Sequence, residues 1–166
     1  MAHVSILDHC IPDASGNVFF ESYGVKATND IFPAEVLVFN DSARDDQAFA
    51  HIRIPDDYSS GAEFSIVWTS TATTGNVRWA VAYFVVSGND VQSFDTTATQ
   101  EKLEVTDAAP SAAHERLRAQ TTSPAGANFV AGDNLLIILS REGADAADTM
   151  AAAAIVFDAY LEYTPG

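Results

Sequence analysis

Three groups of side chains in this 166-residue chain are of types that could do chemistry. His114-Glu115-Arg116-Leu117-Arg118 begins like the zinc-hydrolase motif His-Glu-x-x-His, but Arg118 stands where the second histidine belongs. There is also no Gly-x-Ser-x-Gly nucleophile elbow. His3, His9 and Cys10 are soft or borderline metal donors whose spacing fits no compact zinc module. Asp41, Asp45 and Asp46, then Asp56 and Asp57, then Asp145 and Asp148 are hard oxygen donors of the kind calcium takes. They lack EF-hand spacing, and aspartate also collects in loops because it caps turns. Among 23 acidic residues no pair is singled out for the two-carboxylate chemistry of glycoside cleavage. The reading from residues is therefore no catalytic residue, no metal and no cofactor, and a protein that is not an enzyme. Trp68, Trp79, Tyr83, Tyr160 and Tyr163 could stack on a sugar. However, Phe64, Ile66 and Trp68 alternate on one face, and Trp79 and Tyr83 alternate with Val77, Val81 and Val85, which predicts core tryptophans.

The elements that must position these groups are strands. Alternation of apolar and polar residues predicts strands over 35–40, 48–54, 63–70, 77–86, 91–94, 102–106, 114–120, 135–140 and 152–163. Turn residues punctuate them: 55–61 is a corner, 73–76 a possible hairpin and 87–90 a Gly-Asn turn. Alanine favours a helix over 108–119 and 145–154, yet Pro110 interrupts the first and period two resumes directly after the second. Only a single helical turn is expected, at 145–150. The prediction is an all-β antiparallel β-sandwich of jelly-roll type with about eight or nine strands, covering 34–166. Residues 1–33 read as an irregular N-terminal arm with one or two strands.

Leu135-Leu-Ile-Ile-Leu139 is apolar on both faces, and Met150 to Val156 offers small side chains on both. A two-layer sandwich should turn a polar face to water. The arm or another subunit is therefore expected to cover these strands. Leu136, Ile138, Ala152 and Ala154 become interface candidates. His114, Arg116 and Arg118, sharing one face of a predicted strand, form a basic strip suited either to an acidic partner or to cross-strand pairing within the domain.

Composition narrows the partners. A formal net charge of −15, from 23 acidic and 8 basic residues, repels phosphate backbones and anionic lipid. Nucleic acid and membrane are poor partners on that ground. The single cysteine rules out an internal disulfide framework and reads as a free buried thiol. The first residues carry no basic and apolar signal-peptide pattern, which predicts synthesis in the cytoplasm.

The run Ala48-Phe-Ala-His-Ile-Arg-Ile-Pro-Asp-Asp-Tyr-Ser-Ser-Gly61, then Phe64-Ser-Ile-Val-Trp-Thr-Ser70 and Gly75-Asn-Val-Arg-Trp79, resembles small jelly-roll proteins of tailed phages. Gly132 to Arg141 and the closing Ala154 to Tyr163 extend the likeness over 35–163. The resemblance implies a capsid decoration (cement) protein at the virion surface, a homo-oligomer, trimeric in form, whose partner is the major capsid protein. It supplies no catalytic residue. The competing expectation is a ligand-binding β-sandwich module, carbohydrate- or calcium-dependent, of the fibre or receptor-binding type.

Overall fold

The computed structural model describes residues 1–23, 34–87, 93, 99–125 and 129–166. Eleven strands occur among them: β1 Ala2–Ser5, β2 Ile11–Pro12, β3 Val18–Tyr23, β4 Ala34–Phe39, β5 Asp45–Arg53 and β6 Tyr58–Thr69. They continue with β7 Asn76–Val86, β8 Glu101–Ala108, β9 Leu117–Gln120, β10 Asn134–Glu142 and β11 Ala154–Pro165. All pairings are antiparallel. They make a six-stranded sheet, β3-β4-β11-β6-β9 with β1 also on β11, and a five-stranded sheet, β2-β5-β10-β7-β8. The two sheets face each other as a β-sandwich of the jelly-roll type, as expected.

Period two explains the core. From the six-stranded sheet, Leu37, Phe39, Phe64, Ile66, Trp68, Val156 and Leu161 point inward; from the other come Ile52, Val77, Trp79, Val81, Tyr83, Leu135, Ile137 and Leu139. Trp68 and Trp79 meet edge to face at 5.8 Å, and Phe39 meets Trp79 the same way at 5.4 Å. Such edge-to-face pairs add roughly 0.5–1.5 kcal/mol beyond the area they bury. Both tryptophans are core residues, as their alternation predicts. Ala154 is fully buried in this core, so it is not an interface residue.

Three expectations are corrected. Residues 73–76 do not close a hairpin, because β6 and β7 lie in different sheets. The chain crosses the sandwich there, and alternation alone does not reveal which sheet a strand joins. His114 to Arg116 precede β9 instead of belonging to it, because His114 has a left-handed φ of 70° that breaks the extended run. The expected irregular arm supplies three strands: β1 pairs with β11, β2 with β5 and β3 with β4. Its described residues extend sheet edges. The strand expected at 91–94, apart from Ser93, and most of the turn at 87–90 fall outside the described residues.

One buried ion pair fastens the long connection between β10 and β11. Arg141, 1% exposed, grips Asp148 with Nε at 3.0 Å and Nη2 at 2.8 Å, and donates to the carbonyls of Met150 at 2.6 Å and Ala152 at 2.7 Å. The expected helical turn at 145–150 is instead a pair of tight turns closed by Asp145 N–H to Glu142 and Asp148 N–H to Asp145.

Candidate functional site

The outer face of the five-stranded sheet follows from register. Residues directly opposite in paired strands share a face, so Ile11, Phe49, Ile138, Ala82 and Lys102 form one row across all five strands. The next row is His51, Leu136 and Phe84, and beyond it lie Arg53, Asn134 and Val86. The centre of this face is apolar while its margins are polar. Phe49, Leu136, Ile138, Ala82, Phe84 and Thr99 line a depression of about 240 Å³.

Phe49 is 41% exposed and Ile11, on the edge strand, 68%. Around them His51 Nε2 lies 3.1 Å from Asn134 Oδ1, and Arg53 donates to Asp56 and to the carbonyl of Gly132. Lys102 bonds Glu142 and lies 3.0 Å from Glu104. Those carboxylates, Glu142 first, hold the Lys102 ammonium above its ordinary range. The arrangement is an open aromatic floor with fixed polar groups at its rim, the composition of a site for a ligand that has both an apolar face and hydroxyls.

The sequence-derived interface residues separate into distinct places. Leu136 and Ile138 meet in this depression and stay partly exposed, so no described segment covers them fully. Ala152 is half-buried, its carbonyl held by Arg141. His114 and Arg116 lie on the opposite sheet, and Arg118 pairs with Glu162 and sits 5.9 Å over the Tyr160 ring. The charge-pairing alternative thus describes Arg118 but not Arg116.

Of the aromatics weighed for sugar stacking, Trp68, Trp79, Tyr83 and Tyr163 are buried. Residues overlooked at the sequence level are Phe49, Phe84 and His51. In Ala48-Phe-Ala-His-Ile-Arg-Ile54 the phenylalanine falls in phase with His51 and Arg53, on the polar side of an alternating strand. An aromatic out of phase in this way was the available signal.

The metal candidates come apart. Cys10 is buried, and burial pushes its thiol up to about 12, opposing the thiolate a metal requires. Asp46 is buried, accepting from Ser42 at 2.6 Å and Asn17 at 3.1 Å. Asp57 accepts from Tyr163 at 2.8 Å, and Asp148 is held by Arg141. Among the described residues no group of three or more His, Cys, Asp or Glu side chains is arranged to hold a metal ion.

The sequence matches no protein-family model and no curated protein. Solved structures do match in fold. A family 35 carbohydrate-binding module (CBM35) from Paenibacillus barcinonensis is 10% identical over 99% of this chain and 100% of its own, with a TM-score of 0.50. A GH26-CBM35 β-(1,4)-mannanase from Podospora anserina is 13% identical over 99% of this chain and 28% of its own, with a TM-score of 0.50. A family 35 carbohydrate-binding module from Clostridium thermocellum is 14% identical over 99% of this chain and 100% of its own, with a TM-score of 0.49. The expectation of a capsid decoration protein rested on the order of strands and turns. Carbohydrate-binding modules share that order over nearly the whole chain, and the virion reading is withdrawn. What the likeness shows of this chain is its fold, a jelly-roll β-sandwich of the kind those modules have.

Proposed function

We propose that the chain is a non-catalytic carbohydrate-binding module whose glycan lies on the outer face of the five-stranded sheet. The observation that carries the reading is Phe49, an exposed aromatic at the centre of that face, with Phe84, Leu136 and Ile138 beside it and a polar rim of His51, Asn134 and Thr99. A pyranose presents an apolar C–H face and a rim of hydroxyls. The first matches a phenyl ring and the second matches amides and imidazoles. The fold is that of named carbohydrate-binding modules, which is support for the reading at the level of architecture. A depression of about 240 Å³, open to solvent, suits one or two sugar rings of a chain that runs on across the sheet.

The charge narrows the polymer. With 23 acidic residues against 8 basic ones, an extended polyanion is repelled along its length, and a neutral polysaccharide is the expected ligand class. The test is affinity electrophoresis through neutral polysaccharides, such as xylan, mannan, galactan and β-glucan, followed by calorimetry on any that retard the protein. Phe49→Ala should weaken binding about tenfold, the loss of roughly 1.4 kcal/mol of stacking and burial. Its unfolding midpoint should move little, because the ring already faces water. Retardation by no glycan, or unchanged affinity in Phe49→Ala, would overturn the assignment.

A further inference from the structure

The opposite face of the sandwich carries a different constellation. Of the eight basic residues, six make ion pairs: Arg44 with Asp46, Arg53 with Asp56, Arg78 and Lys102 with Glu104, Arg118 with Glu162 and Arg141 with Asp148. Lys26 lies outside the described residues. Arg116 is left exposed, with no ion pair within 4 Å among the described residues, on a chain where acids outnumber bases nearly threefold. Its charge reaches Asp158, where it opposes the larger upward push of burial on that carboxyl.

Arg116 lines a depression of about 270 Å³ with Val67, Thr69, His114 and Phe157. Two irregularities of the backbone build it. A β-bulge between Val156 and Asp158 leaves Phe157 as the extra residue of β11, and bulges re-aim side chains in this way. On the other side His114 holds a left-handed φ of 70°, alone among the described non-glycine residues. Backbone of that kind persists only where its surroundings fix it. Here His114 N–H donates to Ser70 at 2.9 Å, Thr69 Oγ1 donates to the Glu115 carbonyl at 2.7 Å, and Tyr23 Oη bonds His114 Nδ1. Tyr23 also braces Phe157 edge to face at 5.0 Å. Burial raises the Tyr23 phenol, which keeps its proton.

We infer that this depression is a second binding site, separate from the proposed glycan face, taking a carboxylate carried on a six-membered ring. Arg116 and His114 face the carboxylate and Phe157 packs under the ring. A guanidinium offers a carboxylate two parallel N–H donors, and an aromatic wall excludes water from one side of the pair. The volume lies just under the roughly 300–1,000 Å³ of sites for drug-sized ligands, which suits a single ring. The net charge of −15 opposes any anion, but a Debye length of about 8 Å at physiological salt limits that repulsion for a single carboxylate to the acids beside it and leaves contact pairing, whereas a polyanion lying along the surface meets many acids within that length.

The experiment is a titration of the whole chain with benzoate and with glucuronate, followed by NMR at Thr69, His114 and Phe157. Benzyl alcohol and glucose serve as neutral counterparts. Saturable shifts with at least one acid are expected, absent or about tenfold weaker for its neutral counterpart and about tenfold weaker in Arg116→Gln. Saturation by benzoate alone assigns an aromatic acid, by glucuronate alone a sugar acid, and by both the shared ring-carboxylate chemistry. Phe49→Ala should leave the titration unchanged, which separates this site from the glycan face. The inference is overturned if neither acid saturates, or if Arg116→Gln binds as tightly as the parent.

Discussion

Trp68 and Trp79 stack edge to face in one core, yet their indole nitrogens have opposite fates. Trp68 Nε1 donates to Asp107 across the sandwich at 2.8 Å, whereas Trp79 Nε1 is buried with no partner among the described residues. A buried donor without a partner carries a desolvation cost and no bond to offset it. Trp79→Phe therefore loses only ring volume, and Trp68→Phe loses volume and strands Asp107. Urea unfolding should show the second variant less stable than the first by about 1–2 kcal/mol. Equal losses would mean that the Trp79 nitrogen has a partner in solution. Cys10 gives a second residue-scale prediction. Its folded value, pushed up to about 12 by burial and next by Asp8, lies above the roughly 8.5 of a free thiol. The fold thus favours the protonated thiol. Its contribution is complete below the unfolded value and is lost as pH rises toward the folded one. Native protein should alkylate far more slowly than urea-unfolded protein at pH near 8.5, and comparable rates would place the thiol at the surface. Both tryptophans were legible as core from alternation alone. Which nitrogen finds an acceptor was not, because that depends on where β8 registers against β7, placing Asp107 opposite Val77.

Among the elements, the connection between β10 and β11 rests on one buried pair. Arg141 and Asp148 have side chains 1% and 3% exposed, and without Asp148 the buried guanidinium keeps only the half-exposed Asp41 carboxylate, at 3.5 Å. Asp148→Ala should cost about 3–5 kcal/mol in chemical denaturation, and a loss under about 1 kcal/mol would show that water reaches the site. Gly143 begins the same connection, where an added Cβ would sit 2.2 Å from the Ser42 carbonyl oxygen and 2.7 Å from that of Arg44. At the sheet edge, Lys102 ties β8 to β10 through the buried Glu142, with Glu104 as its second carboxylate. The raised Lys102 stabilises the fold below its unfolded range, and that stability is lost as pH climbs through its folded value. Glu104, lowered first by its bond to Lys102, contributes above its unfolded range, and that part is lost as pH falls through its folded value. Lys102→Ala should cost about 1–2 kcal/mol, mostly through the stranded Glu142. The gap in melting temperature should stay constant through neutral pH and narrow only beyond about 10.4. A gap already closing near pH 7 would refute the pairing. Most of the strands were visible in period two. The crossing at 73–76 was not, nor were the number and partners of the strands in residues 2–23, because a short run with no core of its own looks irregular until its partner strand is known. Similarly, Arg116 and Phe157 were joined by a left-handed histidine and a bulge, neither of which leaves a periodic trace.

For the molecule as a whole, charge is the term that local packing leaves unsettled. Six of the eight cations are used in ion pairs, so each neutralises acids beside it and little positive charge remains to balance the rest of the 23. The excess acids repel one another over distances that salt controls, with a Debye length of about 30 Å at 0.01 M and about 3 Å at 1 M. Screening also weakens the ion pairs, but the exposed ones contribute little, roughly 0–1 kcal/mol each, and the buried Arg141–Asp148 pair lies beyond its reach. Relief of repulsion should therefore prevail. The melting temperature should rise by several degrees between about 0.01 M and 0.5 M sodium chloride, and the rise should shrink as pH approaches the sequence pI of about 4.2, where the repelling carboxylates are protonated. A melting temperature that fell with salt at neutral pH would mean that the exposed pairs outweigh the surplus charge. The acidic surface would then stabilise the fold through its local contacts, and the case for a neutral glycan, which rests on the surplus acids repelling a polyanion laid along them, would weaken with it.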